Sequence, residues 1–363
     1  MDEDCRRRED RTVVSGFPMK RLVLPCALAC LVAGAPTRAQ SPVVTIATVL
    51  SVPSVANFWA EKKGYFREAG VDVRVESMDT LSKAMSLLAT NQIQLAQGGI
   101  NAGFFNAVAQ GLPVTMALES GSTPVHHNFL VRADLKDVIR SPRDLKGRNV
   151  AVSGVGALSV YELGSLMESV GMSLADVNVK PLAFPQMGAA LAGKALDVAL
   201  MVAPFSDAAV SSGLAVPWID PEEGVIKALP MTSLAYIASA DWIKGNRDVA
   251  GRVVKALMRA GRDYCDAYHH GPNRGETLDM MVANGIGRDR ATLDAMAWQA
   301  REPNGDVNHA GLADIARIFK KEGYLDKDPP ADKLVDDALA ADAAKALGPF
   351  KPINEASALK GCR

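Results

Sequence analysis

The chain has 363 residues, 48% of them hydrophobic and 22% charged, with a formal net charge of −1. At about 150 residues per domain, that length suggests two domains with a little left over. The composition is that of a globular protein and disfavours disordered, collagen-like and basic nucleic-acid-binding classes. Five cysteines are too few to form a disulfide scaffold in a chain this long.

Met19-Lys20-Arg21, the apolar run Leu22–Ala35 and the small residues Thr37 and Ala39 follow the order of an export signal: basic start, short apolar core, small residues before a cut. The run is shorter than the roughly 20 residues that span a bilayer. Residues 1–18 mix acidic and basic side chains and make an odd leader, so translation is expected to start at Met19. Residues 1–39 are therefore read as an N-terminal extension and signal peptide, cut after Ala39, and the protein as periplasmic. Ala27-Leu28-Ala29-Cys30 raises a second reading, lipid anchoring through Cys30. Against it stand Ala27, where leucine is usual, and the very short apolar run before the cysteine. Beyond the cut only Cys265 and Cys362 remain; in an oxidising compartment they could pair or stay as two thiols.

Strands and helices alternate from there. Val43–Ala47 is a short apolar strand, and Ser54 begins an amphipathic helix to about Glu68, closed by Gly70. Val71–Val75 alternates with period two and reads as a strand. A helix at Thr80–Thr90, a strand at Gln94–Gln97, a helix at Asn101–Gln110 and a strand at Val114–Leu118 follow. Such alternation implies a parallel sheet covered on both faces. The pattern restarts after Gly147, with strands at Asn149–Val152, Val177–Leu182 and Val198–Val202 and helices at Ala157–Val170 and Gln186–Ala192. The stretches His127–Val131 and Leu234–Ala238 read as crossings between the two units. The remainder is helical: Asp248–Tyr268, Arg274–Ala283, Arg290–Ala300, Asn308–Lys321 and Asp332–Ala346.

Four segments carry a family resemblance. Phe58–Phe66, ending Gly64-Tyr65-Phe66, precedes the strand Val71-Asp72-Val73. Asn91–Gly99 resembles a Gly-x-x-Asp-x-x-x-Gly turn and strand, with Gln94 where aspartate is usual. Ser141-Pro142-Arg143-Asp144-Leu145-Lys146-Gly147 matches a Ser-x-x-Asp-Leu-Lys-Gly segment, the most specific of the four. Ala189–Ala203 completes the set. Over residues 43–320 the chain resembles the solute-binding proteins of ABC importers in the nitrate, taurine, alkanesulfonate and thiamine-precursor group.

The resemblance implies an α/β type II periplasmic-binding-protein fold: two α/β lobes joined by two hinge crossings, with a helical C-terminal extension. The expected division is 40–127 for the first part of lobe 1, 128–232 for lobe 2, 233–325 for the second part of lobe 1, and 326–363 for a helical tail. It also implies a monomer that captures a small organic solute (a sulfonate, a pyrimidine or an aromatic acid) and passes it to ABC permease subunits in the inner membrane. No nucleic acid, cofactor or metal enters this reading. The alternative is an enzyme on the same fold acting on a pyrimidine-like thiamine precursor.

Ligands of open α/β sheets bind beyond the carboxyl ends of the strands, and each strand end supplies candidates. Ser51 and Val52 precede Pro53 at a helix start whose free amides can receive an anion; an ordinary N-terminal turn is the plainer reading. Met78 and Asp79 follow the second strand, with Asp79 either facing a cation or capping the next helix. Gly98, Gly99 and Ile100 follow the third, where glycine permits close approach of a ligand or a tight turn. Glu119 and Ser120 end the fourth, either as polar ligand contacts or exposed to solvent. Ser153, Gly154, Gly156 and Ala157 form a Gly-rich loop opening a helix, although Val155, Gly156 and Ala157 stand where the family often carries hydroxyls. Pro204 and Phe205 end a second-lobe strand, and Phe205, Phe184, Phe58 and Trp59 each either stack on a ligand or pack in the core.

Other chemistry is not signalled. His126 and His127 on one strand would point to opposite faces and could not chelate one metal together, though one could line the cleft at the hinge. His269-His270 ends a helix, where a cation is favourable. No His-x-x-x-His, Cys-x-x-Cys or Gly-x-Ser-x-Gly occurs beyond residue 39, and no nucleophile or general-base arrangement stands out.

Overall fold

The structure, a computed structural model, describes residues 41–363; the signal-peptide, cut-site and Cys30 expectations lie outside them. Ten strands build two sheets: β1 (Val43–Thr48), β2 (Asp72–Ser77), β3 (Leu95–Gly99), β4 (Val114–Gly121), β5 (Asn128–Arg132), β6 (Asn149–Val152), β7 (Asn178–Pro181), β8 (Val198–Met201), β9 (Ala215–Ile219) and β10 (Leu234–Ser239). The orders are β2-β1-β3-β10-β4 and β7-β6-β8-β5-β9. In the first sheet β1 runs parallel to β2 and β3, and β10 lies antiparallel between β3 and β4. The second repeats the plan, with β6 parallel to β7 and β8 and β5 antiparallel between β8 and β9.

The stretches expected to cross between units are thus mostly strands inside the sheets. Phe129-Leu130-Val131 and all of β10 are buried because helices cover both faces of a central strand. A short apolar run cannot distinguish that position from a passage through the interior. The crossings are residues 122–127, from the end of β4 to the start of β5, and 220–233, from the end of β9 to the start of β10. Leu234, the first residue of β10, pairs with both Gly99 and Gly121. Both crossings therefore leave from the carboxyl edge of one sheet and arrive at the carboxyl edge of the other, and the two edges face each other.

Three helices differ from expectation. The first ends at Lys62 and restarts as Tyr65–Glu68, because Gly64 adopts the left-handed conformation (φ 75°) that terminates helices. The helix beginning at Arg290 stops at Ala295. The chain beyond it then lies along β4 and the first crossing: Ser122 donates to the Ala300 carbonyl (2.8 Å), Ala300 to Pro124 (3.0 Å) and Glu119 to Gly305 (3.1 Å). The last helix is split into Ala331–Leu334 and Asp337–Leu347, with Asp336 N–H donating to the Met116 carbonyl at 2.8 Å.

The helix His309–Lys321 follows β10 in the chain yet packs on the second lobe. Gly164 of the helix Leu158–Glu168 admits it: a Cβ there would stand 2.7 Å from Ile318 Cγ2. Tyr161 donates to Asp314 (2.8 Å), and Arg317 and Lys321 both reach Glu168. Its other flank touches the helix Ala102–Ala109, where Phe319 meets Phe105 edge-on at 6.0 Å. One apolar cluster consequently runs through both lobes.

Cys265 and Cys362 form a disulfide. The tail it tethers is held further by Tyr268 Oη donating to Lys360 O (2.6 Å) and His269 Nε2 donating to Gly361 O (3.1 Å). His269 is fully buried and burial lowers its pKa, so it serves as a neutral donor rather than as the cation expected at a helix end. A Cβ on Gly361 would collide with Ala300 Cβ at 2.4 Å and press on Thr123 O and Pro124 Cδ at 3.0 and 3.1 Å; the tail thereby abuts the first crossing. Among the described residues no helix is long and apolar enough to cross a membrane, and no group of His, Cys, Asp and Glu is placed to hold a metal ion.

Candidate functional site

At the first sheet's carboxyl edge, a buried polar chain ties the strand ends together. Thr48 Oγ1 donates to Gln97 Oε1 (2.6 Å), Gln97 Nε2 to Ser120 Oγ (3.2 Å), Asn57 Nδ2 to Thr48 Oγ1 (3.3 Å) and Tyr236 Oη to Asn57 Oδ1 (2.7 Å). Ser120 and Glu119 are fully buried, not exposed, because the segment from Ala300 to Gly305 covers β4. Glu302 N–H donates to Glu119 Oε2 at 2.9 Å. Burial raises the Glu119 pKa well above the ordinary range even with Arg301 nearby.

Ile100 is likewise fully buried. Gly98 is buried too, and a Cβ there would press on Leu81 and Val49, so its small size serves strand–helix packing. Gly99 is exposed, while Ser51, Val52 and Met78 are half-buried. The Ser51 amide donates to Ser54 Oγ at 3.0 Å, and its own hydroxyl is buried without a partner. Asp79 pairs with Lys83 on the surface and makes no cap; Thr80 holds the N-cap position. Trp59 is fully buried and donates to Thr277, which settles it as core.

In the second lobe, the Ser153 amide donates to Ser159 Oγ (2.9 Å) and their hydroxyls lie 2.9 Å apart. Ser153 and Gly154 are half-buried. Val155 is exposed, and the last two residues of the loop meet the other lobe: Ala102 N–H donates to Gly156 O at 2.8 Å, and Ala157 bridges Asn101. Gly156 (φ 62°) allows this approach, since a Cβ would come within 2.9 Å of Ala102 Cβ. Pro204 is half-buried, and Phe205 stacks on Phe184 with centroids 6.3 Å apart and an 18° tilt. Both rings are partly exposed at the ends of β8 and β7.

His126 and His127 precede β5 rather than lying on a strand. His126 takes a left-handed φ of 61°, which turns the two side chains to different neighbours. His127 Nδ1 lies 2.8 Å from both oxygens of Glu162, and its ring sits 6.4 Å from Phe184. A carboxylate accepts only, so Nδ1 carries the proton and Nε2 is left without a partner among the described residues. Glu222, in the second crossing, accepts from Val125 N–H at 2.8 Å, and Asp220 Oδ1 accepts from Glu222 N–H at 2.9 Å. Sequence reasoning did not find Glu162, Asp220 or Glu222. The available signal was Glu162 itself, a lone acid inside a helix buried from Leu158 to Met167.

Burial opposes charge on His127, but Glu162, helped by Glu222 and Asp220, prevails and raises its pKa. Burial, reinforced by Asp220 and Glu162, pushes Glu222 up to about 7, and burial also raises Asp220. Burial lowers His126. The raised His127 value stabilises the fold fully below about pH 6.5 and is lost as pH climbs through it. The raised Glu222 value costs stability as pH rises from 4.5 towards about 7. Both effects have the same sign. The melting temperature is expected to fall from pH 6 to pH 8, and the double variant His127→Asn, Glu222→Gln to lose most of that slope in calorimetric scans.

Two α/β lobes with facing carboxyl edges and two crossings make up the periplasmic-binding-protein fold. The chain belongs to the NMT1/THI5-like family, whose model matches residues 52–268. Its fold is similar to that of the periplasmic aliphatic sulphonate binding protein SsuA from Escherichia coli (18% identity, TM-score 0.64, covering 81% of this chain and 92% of that one). It is also similar to the periplasmic nitrate-binding protein NrtA from Synechocystis PCC 6803 (15%, 0.64, 89% and 92%). The desulfurization enzyme DSZB shares the fold as well (15%, 0.61, 85% and 100%). No curated protein matches the chain.

Proposed function

We propose that this protein is the periplasmic solute-binding component of an ABC importer. It captures a small organic solute between its lobes and presents the closed form to a membrane permease. The observation that supports this reading most is the pair of carboxyl edges facing each other across two crossings, where open α/β sheets and interdomain clefts take ligands. Of the contacts proposed from the sequence, Ser51, Val52, Met78, Gly99, Ser153, Gly154, Ala157 and Pro204 keep some exposed surface there, and Gly98, Ile100, Ser120 and Gly156 are buried beside them. Closure is a hinge motion of the lobes about the crossings, driven by the solute's higher affinity for the closed form.

Thermal-shift screening of sulfonates, pyrimidines, aromatic carboxylates, nitrate and small organic cations identifies a binder. Small-angle scattering with that binder is then expected to show a smaller radius of gyration at saturation. An unchanged radius at saturation defeats the capture reading.

A second reading, an enzyme on the same fold, draws on the Glu162–His127 pair, which fixes the imidazole tautomer and frees Nε2. Among the described residues no hydroxyl or thiol is hydrogen-bonded to His127, so the pair lacks a nucleophile. Product formation from a bound pyrimidine by the purified protein would select this second reading over capture.

A further inference from the structure

The charge of the facing edges is one-sided. Residues 48–54, 77–80, 98–101, 119–127, 153–157, 182–184 and 202–205, which follow the strands into the space between the lobes, contain no lysine or arginine. The long crossing carries Asp220, Glu222 and Glu223 against the single exposed Lys227. An anion entering between these segments would meet amides, hydroxyls and an imidazole paired with Glu162; the guanidinium on the segment that covers β4, Arg301, is fully buried beside Glu119.

His127 links those acids to a pair of rings. Glu222 and Asp220 act on its charge, and Glu222 accepts from Val125 N–H two residues away. Its ring lies 6.4 Å from Phe184, which is partly exposed and stacks on the partly exposed Phe205. Aromatic faces attract cations, and a flat ring offers them stacking area at the same time. Resting on the capture reading above, we infer that the solute of this cleft is a planar organic cation, of the amidinium or protonated nitrogen-heterocycle type, stacked on Phe184 and Phe205 and countered by Asp220 and Glu222. Of the three classes expected from the sequence, this sets aside sulfonates and aromatic acids and is compatible with a pyrimidine only in its protonated form.

The groups around the cation also set its pH dependence. Glu162 and His127 face it from the helix Leu158–Glu168 and the first crossing, and Asp220 and Glu222 face it from the second crossing. His126 lies on the same turn as His127. Acidification protonates Glu222, which burial pushes up to about 7, and the added proton makes the cleft less attractive to a cation. A proton taken up by His127, whose pKa is raised by Glu162, acts in the same direction. Affinity therefore falls between pH 8 and pH 6.

Benzamidinium, benzamide and benzoate are nearly isosteric and differ by one charge unit each, and they serve as the probes in isothermal titration of the full chain. Benzamidinium is expected to bind about tenfold more tightly than benzamide, and benzoate least. Glu222→Gln or Asp220→Asn, each keeping its backbone hydrogen bond, is expected to cost about tenfold for benzamidinium and leave benzamide unchanged. Phe205→Leu weakens both, with circular dichroism and the melting temperature checking that each variant is folded.

Equal or tighter binding of benzoate overturns the charge assignment while leaving capture intact. Failure of all three probes, with a sulfonate or another anion shifting the melting temperature, does the same. An absence of binding across the whole screen defeats the capture reading as well.

Discussion

Replacing Cys265 and Cys362 together with alanine is expected to lower the melting temperature by about 7 °C. The bridge closes a loop of sequence separation 97, and a loop near that length removes about 4–5 kcal/mol of unfolded-state chain entropy. Spread over the unfolding entropy of a chain this size, that is a shift of about 7 °C. Alanine is the appropriate replacement because both cysteines are buried, and serine would add two hydroxyls needing partners. The loss should also be local. The tail's Gly361 rests on Thr123 and Pro124, so amide exchange in residues 122–127 should accelerate more than exchange in β1 or β6. Scanning calorimetry and hydrogen exchange on the double variant read both effects. A reductant applied to the unmodified protein should reproduce them. A melting temperature within 1 °C of the parent would mean that Tyr268 and His269, which donate to the Lys360 and Gly361 carbonyls, and the tail's own Asn354, which donates to the His269 carbonyl, hold the tail without the bridge.

What the sequence could and could not reveal follows from the range of the interactions involved. The alternation of strands and helices is a local signal, and it placed β1 to β4 and β6 to β8 within a few residues. The inserted strands β5 and β10 are recognisable only from their partners in the sheets. Their apolar runs resemble crossings in the sequence, whereas the crossings themselves are the neighbouring proline-containing stretches 122–127 and 220–233. Ser120 stands at a strand end where ligands bind, yet the cover over β4 comes from the segment Ala300–Gly305, about 180 positions away and beyond the expected end of a helix at Ala300. Glu222 has no local signal for the same reason, since it acquires meaning from Val125 on another element, and Glu162 stands out only as an acid in a mostly apolar helix, with its role set by His127. The Gly-rich loop was located as a candidate from its glycines, but only the contact between Gly156 and Ala102 shows that half of it braces the opposite lobe.

Trp59 allows a sharp separation of stability from binding. Its side chain is fully buried, its Nε1 donates to Thr277 Oγ1 at 3.2 Å, and Lys63 Nζ lies 4.6 Å over its ring. It thus joins the helix Val55–Lys62 to the helix Arg274–Ala283, behind the first sheet and away from its carboxyl edge. Trp59→Ala removes a large ring that rigid neighbours cannot fully replace, at a cost of about 3–5 kcal/mol, or roughly 4–7 °C. Thr277 keeps its own bond to the Asn273 carbonyl (2.9 Å), so no buried hydroxyl is orphaned to add to that figure. Trp59→Phe keeps most of the volume and should lose less than half as much. Below the transition, both variants should bind the solute that closes the lobes with the parent's dissociation constant, because the ring touches nothing at the facing edges. Titration calorimetry well below the melting temperature tests this. A Trp59→Ala protein that melts like the parent but binds tenfold more weakly would return Trp59 to the ligand and remove the reason for placing the site beyond the strand ends.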